Sequence, residues 1–316
     1  MPFKPLSGQV ALVTGASHWQ RNRLAAWRSR SRPPAKKEDV SKTLNLPTLW
    51  ETAKEVTARR GQGIAVFCDH SDPDELKKLF KRIDKEQNGR LDILVNNAYA
   101  AVTLDGTKFY DMDPSIFEKV NNVGLKKHYI CSVYGARLVI PRKRGLIVTV
   151  SSGGGLGYLF NTAYGVGKAA CDRMAANMAH ELTKSNVCFV SLWFGLVMTQ
   201  LINHTLHNQY RAFFAPGETA EFAGKCVAAL ARDPEKTKKT GMILTSPWLV
   251  KKYGLVDVTG KIPTDPVMEA HEESSKIEEP DQDQKVDITN WSPVNAERSC
   301  GVVPCGETWQ HGSRTK

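Results

Sequence analysis

Apolar residues along this chain gather into short unbroken runs separated by longer amphipathic stretches. Residues 9–14 form a β-branched and aliphatic run that predicts a buried strand, and residues 63–68, 91–95, 146–150, 187–192 and 241–245 repeat the pattern. Helical periodicity occupies residues 74–87, 114–136, 163–184 and 219–231, the first of them opened by Asp72 as a cap and Pro73 in the first turn. Strands that alternate with helices imply βαβ units, so the expected class is α/β, with a parallel sheet covered on both faces. Such sheets bind ligands at the carboxyl ends of their strands, which gives weight to whatever polar residues follow each apolar run.

From residue 263 the apolar content nearly disappears, and residues 263–316 read as a disordered polar tail behind a domain spanning 1–262. No run approaches the roughly 18 consecutive apolar residues of a membrane span, and the first residues lack the apolar stretch of a signal peptide. A cytoplasmic protein is the expectation. The seven cysteines (68, 131, 171, 188, 226, 300 and 305) show no zinc-ligand spacing, and their odd count does not suggest a disulfide framework. A reducing compartment fits them best. The net charge of +10 is local: five arginines and two lysines between Ser17 and Lys37, with no acid among them, supply +7 of it. A basic face for specific nucleic-acid binding is therefore not implied.

The chemistry sits at the strand ends. Thr14, Gly15, Ala16 and Ser17 follow the first run, Asp69 the second, and Asn96, Asn97 and Ala98 the third. Ser151 and Ser152 close the fourth, the fifth leads through Val197 to Thr199, and Asn121 falls inside the long helical stretch. About a dozen residues after the serines come Tyr164 and Lys168, four positions apart and so on one helix face, one turn from each other. An ammonium held near a phenol favours the phenolate, which suits a tyrosine for passing a proton to or from a carbonyl or alcohol oxygen.

This ordered set resembles the short-chain dehydrogenase/reductase family over residues 8 to about 262. The resemblance implies a Rossmann-type, doubly wound, three-layer α/β/α domain that binds NAD(P)(H), with NADP(H) slightly preferred. It also implies hydride transfer between the nicotinamide and a carbonyl or secondary alcohol, and a homo-oligomer. By the same resemblance Tyr164 is the general acid/base, and Lys168 supports it and bonds the nicotinamide ribose. Ser152 orients the substrate oxygen, and Asn121 holds a water in the proton relay. The family spacing from serine to tyrosine is usually thirteen; Ser151 gives thirteen and Ser152 twelve, and Ser152 is preferred because it matches the second serine of the family pair. Thr14, Gly15, Ser17, Asp69, Asn96, Asn97, Ala98, Val197 and Thr199, together with Tyr164 and Lys168, are the expected cofactor-binding residues. Residues 200–216, with Leu201, Ile202, Leu206, Tyr210, Phe213 and Phe214, suggest a small apolar substrate.

The resemblance breaks at the first βα unit. The family places two further glycines after Thr14 and Gly15, where backbone approaches a pyrophosphate at a helix N-terminus, and this chain has His18, Trp19, Gln20 and Arg21 there. The strand whose end selects NAD or NADP is missing as well. A shifted reading frame accounts for both departures. Tryptophan has one codon, so Trp19-Gln20 and Trp27-Arg28 read one base later each give glycine. Permitted codons for residues 18–31 then yield Ile-Gly-Arg-Gly-Ile-Ala-Leu-Gln-Leu-Gly-Glu-Ala-Gly-Ala, a glycine motif followed by an apolar helix. Residues 18–35 are accordingly read as out of frame. The alternative to an enzyme is a non-catalytic variant of the same fold, with an impaired cofactor loop, acting as a binding or oligomerisation module.

Overall fold

The computed structural model describes residue 6 and residues 8–16, 48–100, 107–197, 199 and 217–262. They all lie in the compact unit Met1–Ser275; a second unit, Lys276–Lys316, falls wholly outside them. The basic stretch 17–47 with Ser17, the 200–216 loop and the tail from 263 also lie outside the described residues.

Among the described residues, five strands form one parallel sheet in chain order: β1 (Ala11–Val13), β2 (Ile93–Asn96), β3 (Gly145–Ser151), β4 (Val187–Trp193) and β5 (Ile243–Thr245). The described helices are α1 (Leu49–Ala58), α2 (Pro73–Glu86), α3 (Ser115–Asn121), α4 (Lys127–Val139), α5 (Thr162–Glu181), α6 (Ala220–Arg232) and α7 (Ser246–Tyr253). The two faces of the sheet divide by strand parity. Ile93, Val95, Leu146, Val148, Cys188, Val190 and Leu192 pack with Phe222, Val227 and Leu230 of α6 and Leu249 of α7. Leu94, Ile147 and Phe189 face the other way, among Leu76, Phe80 and Ile83 of α2, Cys131 of α4, and Ala175 and Ala179 of α5. Every position of β2 is buried, and all but Val150 of β3, as expected of strands covered on both sides. Burying each large core side chain contributes roughly 1.5–3 kcal/mol.

The structure departs from the sequence reading in three places. Residues 63–68 carry the strand pattern, yet no ladder joins them to another strand among the described residues. Ala65 is buried all the same, and Ile64, Val66 and Cys68 pack against the core. In a doubly wound sheet of order 3-2-1-4-5-6 the third strand pairs only with the second, and residues 17–47, between β1 and α1, lie outside the described residues. Second, the long helix expected over 114–136 is three pieces: α3, a π-helical turn Asn122–Lys126, and α4. Third, α1 and α7 were not anticipated. Helix α1 follows the basic stretch and opens with a capping box, Thr48 Oγ1 accepting from the Glu51 N–H while Glu51 accepts from the Thr48 N–H.

At the amino end of the sheet one buried carboxylate ties three segments. Asp92 accepts from the Val10 N–H at 2.8 Å, Arg90 Nε at 2.8 Å and Arg144 Nη2 at 2.9 Å. Burial alone would raise its pKa, but these donors and charges outweigh burial and hold the carboxyl below the ordinary range. Its stabilising effect is therefore fully present above the unfolded-state pKa of about 4 and is lost as pH falls through the lower folded value. Asp92→Asn is expected to cost about 2 kcal/mol at neutral pH. Chemical denaturation of both proteins from neutral to strongly acidic pH should show that difference shrinking below about pH 4; a gap that widens on acidification would contradict the assignment.

Candidate active site

All five strands run the same way, so their exits share one edge of the sheet, and the polar residues gather there. At the exit of β1, Thr14 Oγ1 accepts the N–H groups of Asn97 at 2.9 Å and Ala98 at 3.0 Å. Asn97 Nδ2 returns a bond to the Thr14 carbonyl at 3.0 Å. Gly15 has φ +67, and a Cβ there would lie 2.8 Å from Ala98 Cα, so backbone conformation and space both require glycine. The Ala98 carbonyl accepts from His128 Nε2 at 2.8 Å, which completes the locking of this peptide. Burial is the main cause that holds His128 neutral, its pKa pulled down to about 3. Asn96 is fully buried and donates to Ser132 Oγ at 2.8 Å, fastening β2 to α4.

The exit of β3 separates the two candidate serines. Ser151 is buried and donates to the Lys168 carbonyl at 3.0 Å. Ser152, one residue on and pointing the other way, has its Oγ 2.6 Å from the Tyr164 hydroxyl. Strand parity therefore places Ser152, and not Ser151, beside the Tyr164 hydroxyl. Ser152 Oγ also accepts the Gly154 N–H at 3.2 Å, which fixes its rotamer.

Tyr164 sits in the first turn of α5, where Asn161 caps the helix by accepting the Tyr164 N–H at 2.9 Å. Just before the cap, the Asn161 N–H donates to the Leu159 carbonyl at 2.9 Å across Phe160, whose φ is +65. That three-residue turn is a strained arrangement for a phenylalanine. It brings the Phe160 ring edge-on to Tyr164, centroids 5.0 Å apart. Tyr99 approaches the same ring edge-on, at 5.8 Å. Lys168 is buried, donates to the Val150 carbonyl at 3.2 Å, and has its Nζ 5.6 Å from the Tyr164 ring centre.

Asn121 closes α3 at the π-helical turn, and its Nδ2 donates to the Ala163 carbonyl at 3.2 Å. A π turn inside a helix often marks a functional position; here it lets Asn121 dock against α5. Helix α5 meets it with a stripe of small buried residues, Ala163, Gly167, Cys171, Ala175 and Ala179.

Of the sequence-predicted residues, then, Asn121, Ser152, Tyr164 and Lys168 form one cluster, and Thr14, Gly15, Asn97 and Ala98 form a second at the neighbouring strand ends. Asp69 lies at the end of the 62–69 segment, where its Oδ1 accepts from the Ser71 N–H at 2.8 Å and Ser71 Oγ at 2.7 Å. Val197 forms an isolated parallel bridge with Glu218, and its carbonyl accepts the Thr199 N–H at 2.9 Å, so both residues stand at the base of the 200–216 loop. Sequence reasoning missed Asp172, whose Oδ1 accepts from Ser191 Oγ at 2.5 Å and Trp193 Nε1 at 2.9 Å. Burial raises its pKa against the opposing effect of Ser191, Trp193, Ser151 and Lys168. Its position one turn beyond Lys168 on α5 was the available signal.

A nucleotide along the strand exits fits what is present: a side-chain-free Gly15 beside an Ala98 peptide held on both sides, with Ser152, Tyr164 and Lys168 next to it. No helix among the described residues is long and apolar enough to cross a membrane, and no group of His, Cys, Asp or Glu among them is arranged to hold a metal ion.

Residues 40–209 match the family model described as short chain dehydrogenase. Dehydrogenase/reductase SDR family member 1 of Mus musculus is 44% identical over 271 residues, covering 81% of this chain and 85% of that protein. The Homo sapiens protein of the same name gives the same identity and coverage. Among solved structures, a short-chain type dehydrogenase/reductase from Mycobacterium marinum superposes with TM-score 0.62 at 21% identity, covering 77% of this chain and 95% of that one. A 7 alpha-hydroxysteroid dehydrogenase complexed with NADH and 7-oxo glycochenodeoxycholic acid gives TM-score 0.61 at 22% identity, covering 76% of this chain and 93% of that one. At such identities the two structures speak for the fold, and the family model and the 44% relatives for descent. With a parallel sheet of the Rossmann type and this residue order along its carboxyl edge, the chain belongs to the short-chain dehydrogenase/reductase family of oxidoreductases.

Proposed function

We propose that this protein transfers hydride between a nicotinamide cofactor and an apolar carbonyl or secondary alcohol, with Tyr164 passing the proton. The observation that carries the reading is the 2.6 Å approach of Ser152 Oγ to the Tyr164 hydroxyl at the mouth of the sheet. Two hydroxyls this close converge on a point where one substrate oxygen accepts from both, so that Ser152 orients it and Tyr164 protonates or deprotonates it. Lys168, with its Nζ 5.6 Å from the centre of the Tyr164 ring, is the proposed electrostatic partner of that residue. Asn121, at the junction of α3 and the π turn, is the proposed holder of a relay water.

The bound nicotinamide supplies or takes the hydride. Thr14, Gly15, Ser17, Asn96, Asn97 and Ala98 are the proposed support on the β1 and β2 side, with Asp69 toward the adenine and Val197 and Thr199 toward the carboxamide. Lys168 and Tyr164 meet the ribose. NADP(H) is the preferred form, the substrate is small and apolar, and the protein acts as a cytoplasmic homo-oligomer. An NADPH-dependent aldehyde reductase of Arabidopsis thaliana, 28% identical over 247 residues, is a relative consistent with NADP(H).

Titration of NADPH and NADH into the purified chain, followed by nucleotide fluorescence, tests the reading. Saturable binding in the micromolar range with NADPH the tighter is expected; no saturation at millimolar concentration would sink it. That second result would favour the non-catalytic alternative, which one observation supports: the glycine motif is incomplete after Gly15, and the family model matches only from residue 40. Residues 18–35 are proposed to be out of frame. A transcript that reads through them in the present frame, with matching peptides, would refute that.

A further inference from the structure

We propose that Tyr99 is a positioning residue for the reacting pair: its ring face holds the Lys168 ammonium and its edge fixes the Tyr164 ring. The proposal rests on the assignment of Tyr164 and Lys168 given above.

The starting point is a buried ammonium short of partners. Lys168 has three N–H donors, and among the described residues its one recorded acceptor is the Val150 carbonyl at 3.2 Å. No carboxylate lies within ion-pair distance of it among those residues. The groups facing it from the surrounding elements are the Val150 carbonyl of β3, Tyr164, Cys171 and Asp172 of α5, His128 of α4, and Tyr99 beyond β2. His128 is neutral, and burial pushes the Cys171 thiol up to about 11, so neither offers a counter-charge at neutral pH; Asp172 acts on Lys168 only from beyond ion-pair distance, its Oδ1 accepting from Ser191 and Trp193. An unpaired buried ammonium is costly. The Tyr99 ring answers this: its centroid lies 4.9 Å from Lys168 Nζ, closer than the Tyr164 ring at 5.6 Å and within the range of cation–π attraction.

The surroundings are shaped to admit that ring. A Cβ on Gly124, in the π turn, would meet Tyr99 Cδ2 at 2.7 Å, so the only residue that fits there is one without a side chain. The same ring meets Tyr164 at 89°, centroids 5.8 Å apart. The Tyr99 hydroxyl, in contrast, is buried with no hydrogen-bond partner among the described residues. Burial is the first cause that raises its pKa, so it stays a neutral phenol and does not compete as an acid or base. What meets Lys168 and Tyr164 at this position is the aromatic ring.

Tyr99→Phe and Tyr99→Leu separate face from hydroxyl. The full-length protein is labelled with ¹³Cε-lysine, and the Lys168 signal is assigned by its loss in Lys168→Arg. Wild type and Tyr99→Phe are expected to show the Lys168 Hε protons displaced upfield by the ring current, and Tyr99→Leu to return them toward the free-lysine position. With NADPH and a simple aryl ketone such as acetophenone, kcat should fall about 5- to 30-fold in Tyr99→Leu, with KM for NADPH within about twofold. The pH at which turnover is half-maximal should also move in Tyr99→Leu, and Tyr99→Phe should restore both. An unchanged Lys168 signal in folded Tyr99→Leu overturns the proposal, as does a Tyr99→Phe protein that loses as much as Tyr99→Leu. The spectroscopic arm needs no turnover, so the expected ring-current pattern in an inactive wild type supports the positioning and counts against the oxidoreductase reading alone.

Discussion

Tyr164→Phe is expected to lower carbonyl reduction by about two to four orders of magnitude, the usual contribution of a positioned general acid. The substitution is nearly silent for the fold. Phenylalanine keeps both edge-on ring contacts, with Phe160 at 5.0 Å and Tyr99 at 5.8 Å. Among the described residues the hydroxyl it removes has one partner, Ser152 Oγ, which keeps its bond from the Gly154 N–H. Loss of one hydrogen bond costs about 1 kcal/mol, so the thermal midpoint should move by only a few degrees. Initial rates of NADPH oxidation with an apolar ketone, beside a thermal melt, measure both quantities. A Phe variant that keeps more than about a tenth of the wild-type rate would remove Tyr164 from the chemistry, because no acid catalyst of this kind contributes so little.

The second large effect is structural. Gly167→Ala should destabilise the protein by about 3 kcal/mol, at the upper end for overpacking by one methyl group. Glycine is ordinarily a poor helix residue and alanine the best, so propensity alone predicts stabilisation by about 1 kcal/mol. Geometry reverses the sign. A Cβ at Gly167 would lie 2.0 Å from Asn121 Oδ1, well inside contact distance. Asn121 must withdraw, which breaks its bond to the Ala163 carbonyl and loosens α3 from α5. A drop of about 5–10 °C in the thermal midpoint is expected for a domain of this size. Asn121→Ala in the same chain removes the obstructing amide, so the double variant should recover part of the loss. Strict additivity would show that the clash is not the cause.

Much of the fold was legible because buried parallel strands leave a simple trace. Residues 146–150 and 187–192 are nearly continuous apolar runs, and the structure extends each by only a residue or so, to Gly145–Ser151 and Val187–Trp193. Residues 63–68 carry the same trace with no ladder among the described residues, because hydrogen bonding depends on a neighbouring strand that a local pattern cannot report. The break at Asn122–Lys126 is likewise invisible in periodicity. It arises from what Asn121 and Gly124 meet across the domain, Ala163 and Tyr99.

The candidate site divides along the same line. The sequence by itself determined which residue types stand at each strand exit, because order along the chain fixes order along the carboxyl edge of a parallel sheet. It determined the Tyr164–Lys168 pairing as well, since a spacing of four on a helix is a local property. Only the tertiary structure decided which of Ser151 and Ser152 stands against the Tyr164 hydroxyl, through the parity of β3 relative to α5. Only it brought the Tyr99 ring, from beyond the end of β2, over Lys168. Both decisions rest on where side chains from distant segments converge, and that convergence is a property of packing, which no single stretch of sequence contains.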